Sequence, residues 1–236
     1  MTTLRISRVD GVTYSISGAD RLLAEFFEYS RSAREGKFDD RANEPVMWNA
    51  SPDSYSRADI HAMNSAMGTH FSPKHAQDLL IDHDLPWLAA LGERPDLILC
   101  STEAWRRLEP LAAEAIKALW GLHRNRAVVT KLLHLKRPGL FPIIDKFVAW
   151  ALASPLPGSP EDVMRLLIRI REIGRENLKE LRSLRSDLCP SHGRYQRSFV
   201  RLLEVALWKV GQQDGPYNHL TEWLTRPQES EGPATS

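Results

Sequence analysis

Only two cysteines, Cys100 and Cys189, occur in 236 residues. That is too few for a disulfide framework, a four-cysteine metal site or an iron–sulfur cluster, and it suits a reducing compartment. No apolar run approaches the roughly 18 residues of a membrane span, and the N-terminus lacks the basic-then-apolar pattern of a signal peptide. A cytoplasmic protein is expected. Excess charge of one sign is missing too: 31 Lys and Arg face 30 Asp and Glu, for a net charge of +1. The surface as a whole therefore attracts neither nucleic acid nor an anionic membrane, and any polyanion has to be held by a local patch. There is no Gly-rich phosphate loop, nucleophile elbow or dinucleotide fingerprint, and no repeat at a fixed period. His70 and His75 have the spacing of half a zinc site without the cysteine pair that would complete it, so neither metal nor cofactor is expected.

What the chain does have is 42% hydrophobic residues, enough for a substantial core. It also has one stretch where charge is concentrated. Between Glu114 and Asp145 there is no acid, while Lys117, Arg124, Arg126, Lys131, Lys136 and Arg137 supply six positive charges. Within 119–148, LWGLHRNRAVVTKLLHLKRPGLFPIIDKFV, a polar turn leads into an apolar helix with basic flanks. A Pro-Gly break follows, and then an acid at the mouth of another helix.

The rest of the chain reads as mainly α-helical. Alternating residues in Leu4–Val9 and Val12–Ser17 around Asp10-Gly11 predict an N-terminal β-hairpin. Leu22, Leu23, Phe26, Phe27 and Tyr29 recur at helical spacing and predict a first helix through about Arg34, ended by Gly36. Residues 37–55 carry Trp48 and Tyr55 in a long loop. From Ser56 the pattern predicts helices near 57–67, 73–82, 85–92, 102–120, 125–135, 146–153, 160–172, 175–185 and 194–212. Ser72-Pro73, Ser101-Thr102-Glu103 and Ser159-Pro160-Glu161 are start signals. The linker 154–159 separates two helical halves, read as lobes of a single domain over 1–225 with a cleft near Asp145. The tail 226–236 has no apolar anchor and reads as disordered.

Two segments carry candidate chemistry. The turn Gly121, Leu122, His123, Arg124, Asn125, Arg126 lies between helices, where free N-terminal amides and the helix dipole favour an anion. On spacing alone an ordinary connection with solvated charges is the plainer reading. Asp145 follows Pro142 and the β-branched pair Ile143-Ile144, which hold the backbone extended, and it caps the helix carrying Phe147, Val148 and Trp150. A structural cap is the plain reading of such an acid.

The order of these parts, a basic turn and helix followed about twenty residues later by an acid at a helix start, resembles the helix-hairpin-helix superfamily of DNA glycosylases. Ile143-Ile144-Asp145-Lys146-Phe147-Val148 is similar to that superfamily's catalytic segment. The stretch also resembles a family of uncharacterised bacterial proteins through Lys131-Leu132-Leu133, Lys136-Arg137-Pro138, Leu140-Phe141-Pro142 and Asp145. The late run Arg201-Leu202-Leu203-Glu204-Val205-Ala206-Leu207-Trp208 extends this second likeness. The hairpin departs from the glycosylases' Gly-apolar-Gly pattern: it reads Gly121-Leu122-His123, or in another register His123-Arg124-Asn125. Asn125 can still adopt a left-handed turn conformation there, and His123, Arg124 and Arg126 could instead contact phosphates through their side chains.

The glycosylase resemblance implies a two-lobed helical fold and a monomer that binds double-stranded DNA and no membrane. A base is flipped out and excised, leaving an abasic site. Asp145 is implied as the catalytic carboxylate, kept ionised at neutral pH by its helix N-terminus and neighbouring cations. Gly121, Leu122, His123, Arg124, Asn125, Arg126, Lys131, Lys136 and Arg137 are implied as the DNA contacts. The position of the strand-cleaving lysine of bifunctional members falls on Asn125 or Ala127, so a monofunctional enzyme is expected. Trp48, Tyr55, Trp87 and Trp120 are candidates to stack or wedge bases, whereas Trp150 and Trp208 lie on apolar faces and read as packing residues. A second basic set, Arg182, Arg185, Arg194, Arg197 and Arg201, reads as a solvated helix pair or as an extension of the phosphate track. The 37–55 loop could shape a pocket for a bulky hypermodified phage base, which would make the enzyme an antiviral defence factor. The alternative is a non-catalytic helical DNA-binding protein of the same architecture.

Overall fold

A computed structural model describes residues 1–32, 52–67, 71, 74–81, 83–92, 95–188 and 197–214. The Asp-Gly signal forms the expected hairpin. β1 (Thr3–Ser7) pairs antiparallel with β2 (Thr13–Ser17), Leu4 opposite Ile16 and Ile6 opposite Tyr14. Gly11 supplies the left-handed turn residue at φ 83°. Leu4, Ile6 and Ile16 point into the core and their neighbours point out, as period-two alternation requires.

The remaining elements are helices: α1 (Ala19–Ser32), α2 (Arg57–Met67), α3 (Lys74–Leu80), α4 (Pro86–Ala89), α5 (Thr102–Leu122), α6 (Arg126–Lys136), α7 (Lys146–Ala151), α8 (Pro160–Glu176), α9 (Leu178–Leu188) and α10 (Phe199–Asp214). The fold is mainly α with a small N-terminal hairpin, as the periodicity predicts. Ser101 and Ser159 cap α5 and α8, accepting hydrogen bonds from Ala104 N and Asp162 N. α4 is much shorter than its apolar pattern suggests, ending at Ala89 before Gly92 at φ 73°. Buried apolar side chains from the hairpin, from helices throughout the chain and from the 140–144 segment form one continuous core. No described helix is long and apolar enough to cross a membrane.

The hairpin braces the helices that carry the site. Its turn donates Val9 N to Leu152 O (2.9 Å), and Tyr14 Oη donates to Ala151 O (3.1 Å), so both bonds fall at the C-terminal end of α7. Buried Asn177, at the α8–α9 junction, accepts from Arg5 N (2.7 Å) and donates to Arg5 O (2.6 Å). Arg169 donates to the carbonyls of Ser7 and Arg8. β1 is thereby tied to α8 as well as to β2.

Candidate active site

Asp145 sits where α6, α7 and α10 meet, and its approach is fixed one hydrogen bond at a time. The extended segment 141–144 lies along α6. Thr130 Oγ1 accepts from Ile144 N (3.0 Å) while donating to Arg126 O (2.8 Å), and His134 Nδ1 pairs with Phe141 O (2.7 Å). A hydroxyl and an imidazole on α6 therefore satisfy a backbone segment that belongs to no sheet. Asp145 then caps α7 with one carboxylate oxygen, Oδ1 accepting from Phe147 N (2.9 Å) and Val148 N (3.0 Å).

The other oxygen has a partner from the far end of the chain. Trp208 Nε1 of α10 donates to Asp145 Oδ2 at 3.0 Å, and the indole stands edge-on to Phe147 and Phe26. Trp208 is thus not only the packing residue its apolar helical face suggests. It orients the acid. Lys131 of α6 interacts with Asp145 electrostatically, and Glu204 of α10 interacts with Lys131 in the same way.

Burial pushes the Asp145 carboxyl above the ordinary aspartate range, against the two α7 amides, Lys131 and the Trp208 indole, which favour the ionised form. The net direction is upward, where a helix N-terminus and neighbouring cations alone would have held it down; desolvation is the larger effect. With a folded pKa above the unfolded one, this group lowers stability as pH rises between those two values, while supplying more carboxylate over the same interval. Trp208→Phe removes one donor to the charged form and is expected to move the carboxyl's titration further up. Carbon-13 NMR of the Asp145 carboxyl would show this, and an unmoved curve would mean that the indole does not hold the acid.

The hairpin differs from an amide cradle. Asn125 has φ −132°, an extended and not a left-handed conformation, and its side chain caps α6 by accepting from Ala127 N and Val128 N. Two of the amides that would face a phosphate are already satisfied. Gly121, Arg124 and Asn125 are exposed; Leu122, His123, Arg126 and Lys131 are half-buried. His123 lies beside Phe71, and burial lowers its pKa.

Lys136 and Arg137 do not extend this set. Lys136 is buried with its ammonium on Asp59 (2.9 Å) and over the Tyr55 ring. Arg137 is fully buried, donating to Asp53 and to the carbonyls of Pro52, Leu88 and its neighbour Lys136. Both cations are spent inside the protein, so the expectation that they contact DNA is corrected. Tyr55 is likewise no base-stacking residue: it is fully buried and donates its hydroxyl to Leu132 O (2.8 Å). Trp87 and Trp120 are half-buried against the core, and Trp48 lies outside the described residues.

In the second basic set the aromatic rings take the charges. Arg185 lies 3.9 Å over Phe199 and Arg197 3.8 Å over Phe27, while Arg201 is buried on Glu204. Arg182 is exposed, and Arg194 lies outside the described residues.

A surface groove of about 670 Å³ runs between α5 and α8, lined by Pro110, Ala113, Met164 and Ile168 with charges of both signs at its edges. It does not include Asp145 or its partners. A buried acid held by two amides and an indole makes Asp145 the stronger candidate centre, because the groove's charges, Arg106, Glu114, Lys117, Glu161 and Arg165 among them, are mostly solvent-exposed and not desolvated against a specific partner.

A model of a family of unknown function, DUF6308, matches residues 19–211. The match begins after the hairpin and takes in Lys131, Asp145, Glu204 and Trp208. No curated protein and no solved structure matches the chain.

Proposed function

The chain belongs to the DUF6308 family, whose function is unknown, and on the site's own chemistry we propose that it is a monofunctional DNA N-glycosylase that excises a damaged or modified base. The observation that carries this reading is the state of Asp145. A plain helix cap works equally well in solvent, whereas this carboxyl is largely buried and held by three donors, with the charge of Lys131 acting on it electrostatically. Desolvated charges with a specific partner mark functional positions more often than structural ones.

The proposed reaction would use that geometry. As the bond from the sugar's C1′ to the base lengthens, positive charge grows on the sugar, and a preorganised carboxylate in a water-poor site stabilises it more than solvent does. Three fixed donors hold Asp145 in one orientation and still leave lone pairs to accept a proton from the attacking water. Cleavage releases the base and leaves an abasic site. DNA would approach over the exposed turn at Gly121, Arg124 and Asn125, through side chains and not through an amide cradle.

The test is incubation with normal, alkylated, deaminated and phage-hypermodified DNA, with mass spectrometry for free bases and an alkali assay for abasic sites. Wild type is expected to release one class of base. Asp145→Asn should lower the rate by about 10³-fold with duplex binding retained, in the range that loss of one electrostatic stabiliser produces. An equal rate in both proteins would remove Asp145 from the chemistry. Duplex binding without base release by either protein would favour the alternative of a non-catalytic DNA-binding protein, to which an α6 start already satisfied by its own Asn125 is no obstacle.

A further inference from the structure

At the far end of α8 from its Ser159 cap, two cations meet one oxygen. Arg171 Nη2 and Arg175 Nη1, one turn apart on α8, both donate to the Cys100 carbonyl, at 3.2 and 2.9 Å. The two charges are thereby brought within a few ångströms of each other. Arg171 is 8% exposed and lies over the Trp105 ring, 5.3 Å from its centre, and its Nε is buried without an acceptor. Arg175 is exposed and opens the pair to solvent.

Among the described residues neither guanidinium forms an ion pair. The acids beside them in α8 are drawn to the hairpin side, Glu172 accepting from Arg169 (2.8 Å) and Glu176 from Ser7 (3.1 Å). Glu103, in the first turn of α5, pairs with Arg107 (3.4 Å), and the Asp96 carboxylate accepts from Ile98 N and Leu99 N. A buried charge without a counter-charge is costly, and a like charge beside it adds to that cost. Packing does not demand the arrangement, because α8 already reaches the 97–100 turn through Gly174, where a Cβ would come 2.6 Å from Ile98 Cγ1. The 21-residue helix α5 begins two residues after Cys100, so the positive end of its dipole falls at the same place.

We propose that Arg171 and Arg175 form a binding site for a phosphate group, separate from Asp145 and independent of the glycosylase reading. Phosphate supplies the missing negative charge and has enough oxygens to accept from two planar forks. Each arginine keeps N–H groups beyond the one it gives to Cys100. There is room for the rest of a phosphate compound. α8 runs antiparallel to α5, since its last turns meet residues 98–105, and the groove between the two helices is lined on the α8 side by Met164, Arg165 and Ile168. Ile168, Arg171 and Arg175 fall at i, i+3 and i+7 on one face, so the groove leads toward the pair.

The experiment titrates the full-length protein with inorganic phosphate at constant ionic strength, by calorimetry and by nitrogen-15 NMR of the arginine Nε–H groups and the Trp105 indole. Saturable shifts of the Arg175 and Trp105 signals are expected, with none from chloride or acetate. Arg175→Ala, at an exposed position, should keep the fold and weaken phosphate binding by about tenfold or more, the factor carried by one charge-assisted hydrogen bond. Arg175→Lys should recover only part of that loss, since a point charge lacks the fork. Arg124→Ala, which removes an exposed cation elsewhere, should bind phosphate as wild type does.

Absence of saturable binding, or equal affinity in Arg175→Ala and wild type, would overturn the proposal and leave the two arginines as a tie between α8 and the turn before α5. Equal weakening by Arg124→Ala would overturn it in favour of diffuse attraction. A second arm adds a short DNA duplex to the phosphate-bound protein. Displacement of phosphate supports the site as a contact for the DNA backbone, and retention supports it as a site for a free phosphate compound. Neither arm depends on release of a base.

Discussion

Arg137→Met is expected to cost about 3 kcal/mol of folding stability, the scale of leaving buried acceptors without their donor. Four acceptors converge on this guanidinium: the Asp53 carboxylate and the carbonyls of Pro52, Lys136 and Leu88. Methionine fills much of the side-chain volume and donates nothing, so the carbonyls lose their donor, while the Asp53 carboxylate, 36% exposed, loses its cation but stays partly in water. Arg137 also joins parts of the chain that have no shared secondary structure, namely the residues before α2, the end of α4 and the end of α6. Its loss should loosen the 52–59 segment first. Denaturant melts of Arg137→Met beside Arg124→Met would decide the matter. The exposed Arg124 is expected to change stability by about 0.5 kcal/mol or less. Equal midpoints for the two variants would mean that the buried network carries no stability.

The contrast between those two arginines shows where sequence reading stops. The hairpin, the helix order, the Ser101 and Ser159 caps and the cap at Asp145 were legible because each is set by residues a few positions apart. Lys136 and Arg137 looked like part of a basic surface because no acid is near them in sequence. Their partners, Asp59 and Asp53, lie 77 and 84 positions away. Trp208 reads as packing in the sequence for the same reason, since its bond to Asp145 spans 63 residues. One signal was available locally: Arg201, Glu204 and Trp208 fall at i, i+3 and i+7 on an otherwise apolar helix, a polar stripe aimed at the interior. Asn125 failed in the opposite way. It is an ordinary cap by residue type, and the expectation of a left-handed turn came from matching it to a glycine in the hairpin pattern.

That polar stripe can work only if α10 lies close against α7, and one residue sets the distance. A Cβ built on Gly211 would come 2.1 Å from Phe147 O and 2.6 Å from its carbonyl carbon. These are backbone atoms at the start of α7, two residues after Asp145, and they cannot swing aside as a side-chain end would. On helix propensity alone Gly211→Ala should gain about 1 kcal/mol. Relieving the overlap requires the two helices to separate, and overpacking of this kind costs about 1–3 kcal/mol, or more where backbone must move. Steric overlap therefore wins, and the variant should be destabilised despite its better helix former. The same displacement carries Trp208 Nε1 away from Asp145 Oδ2, so the carboxyl loses a donor and its titration moves up as in Trp208→Phe. Thermal melts and the Asp145 carboxyl titration, run together on Gly211→Ala, test both consequences. A protein more stable than wild type with an unmoved titration would show that α7 and α10 do not need their close approach.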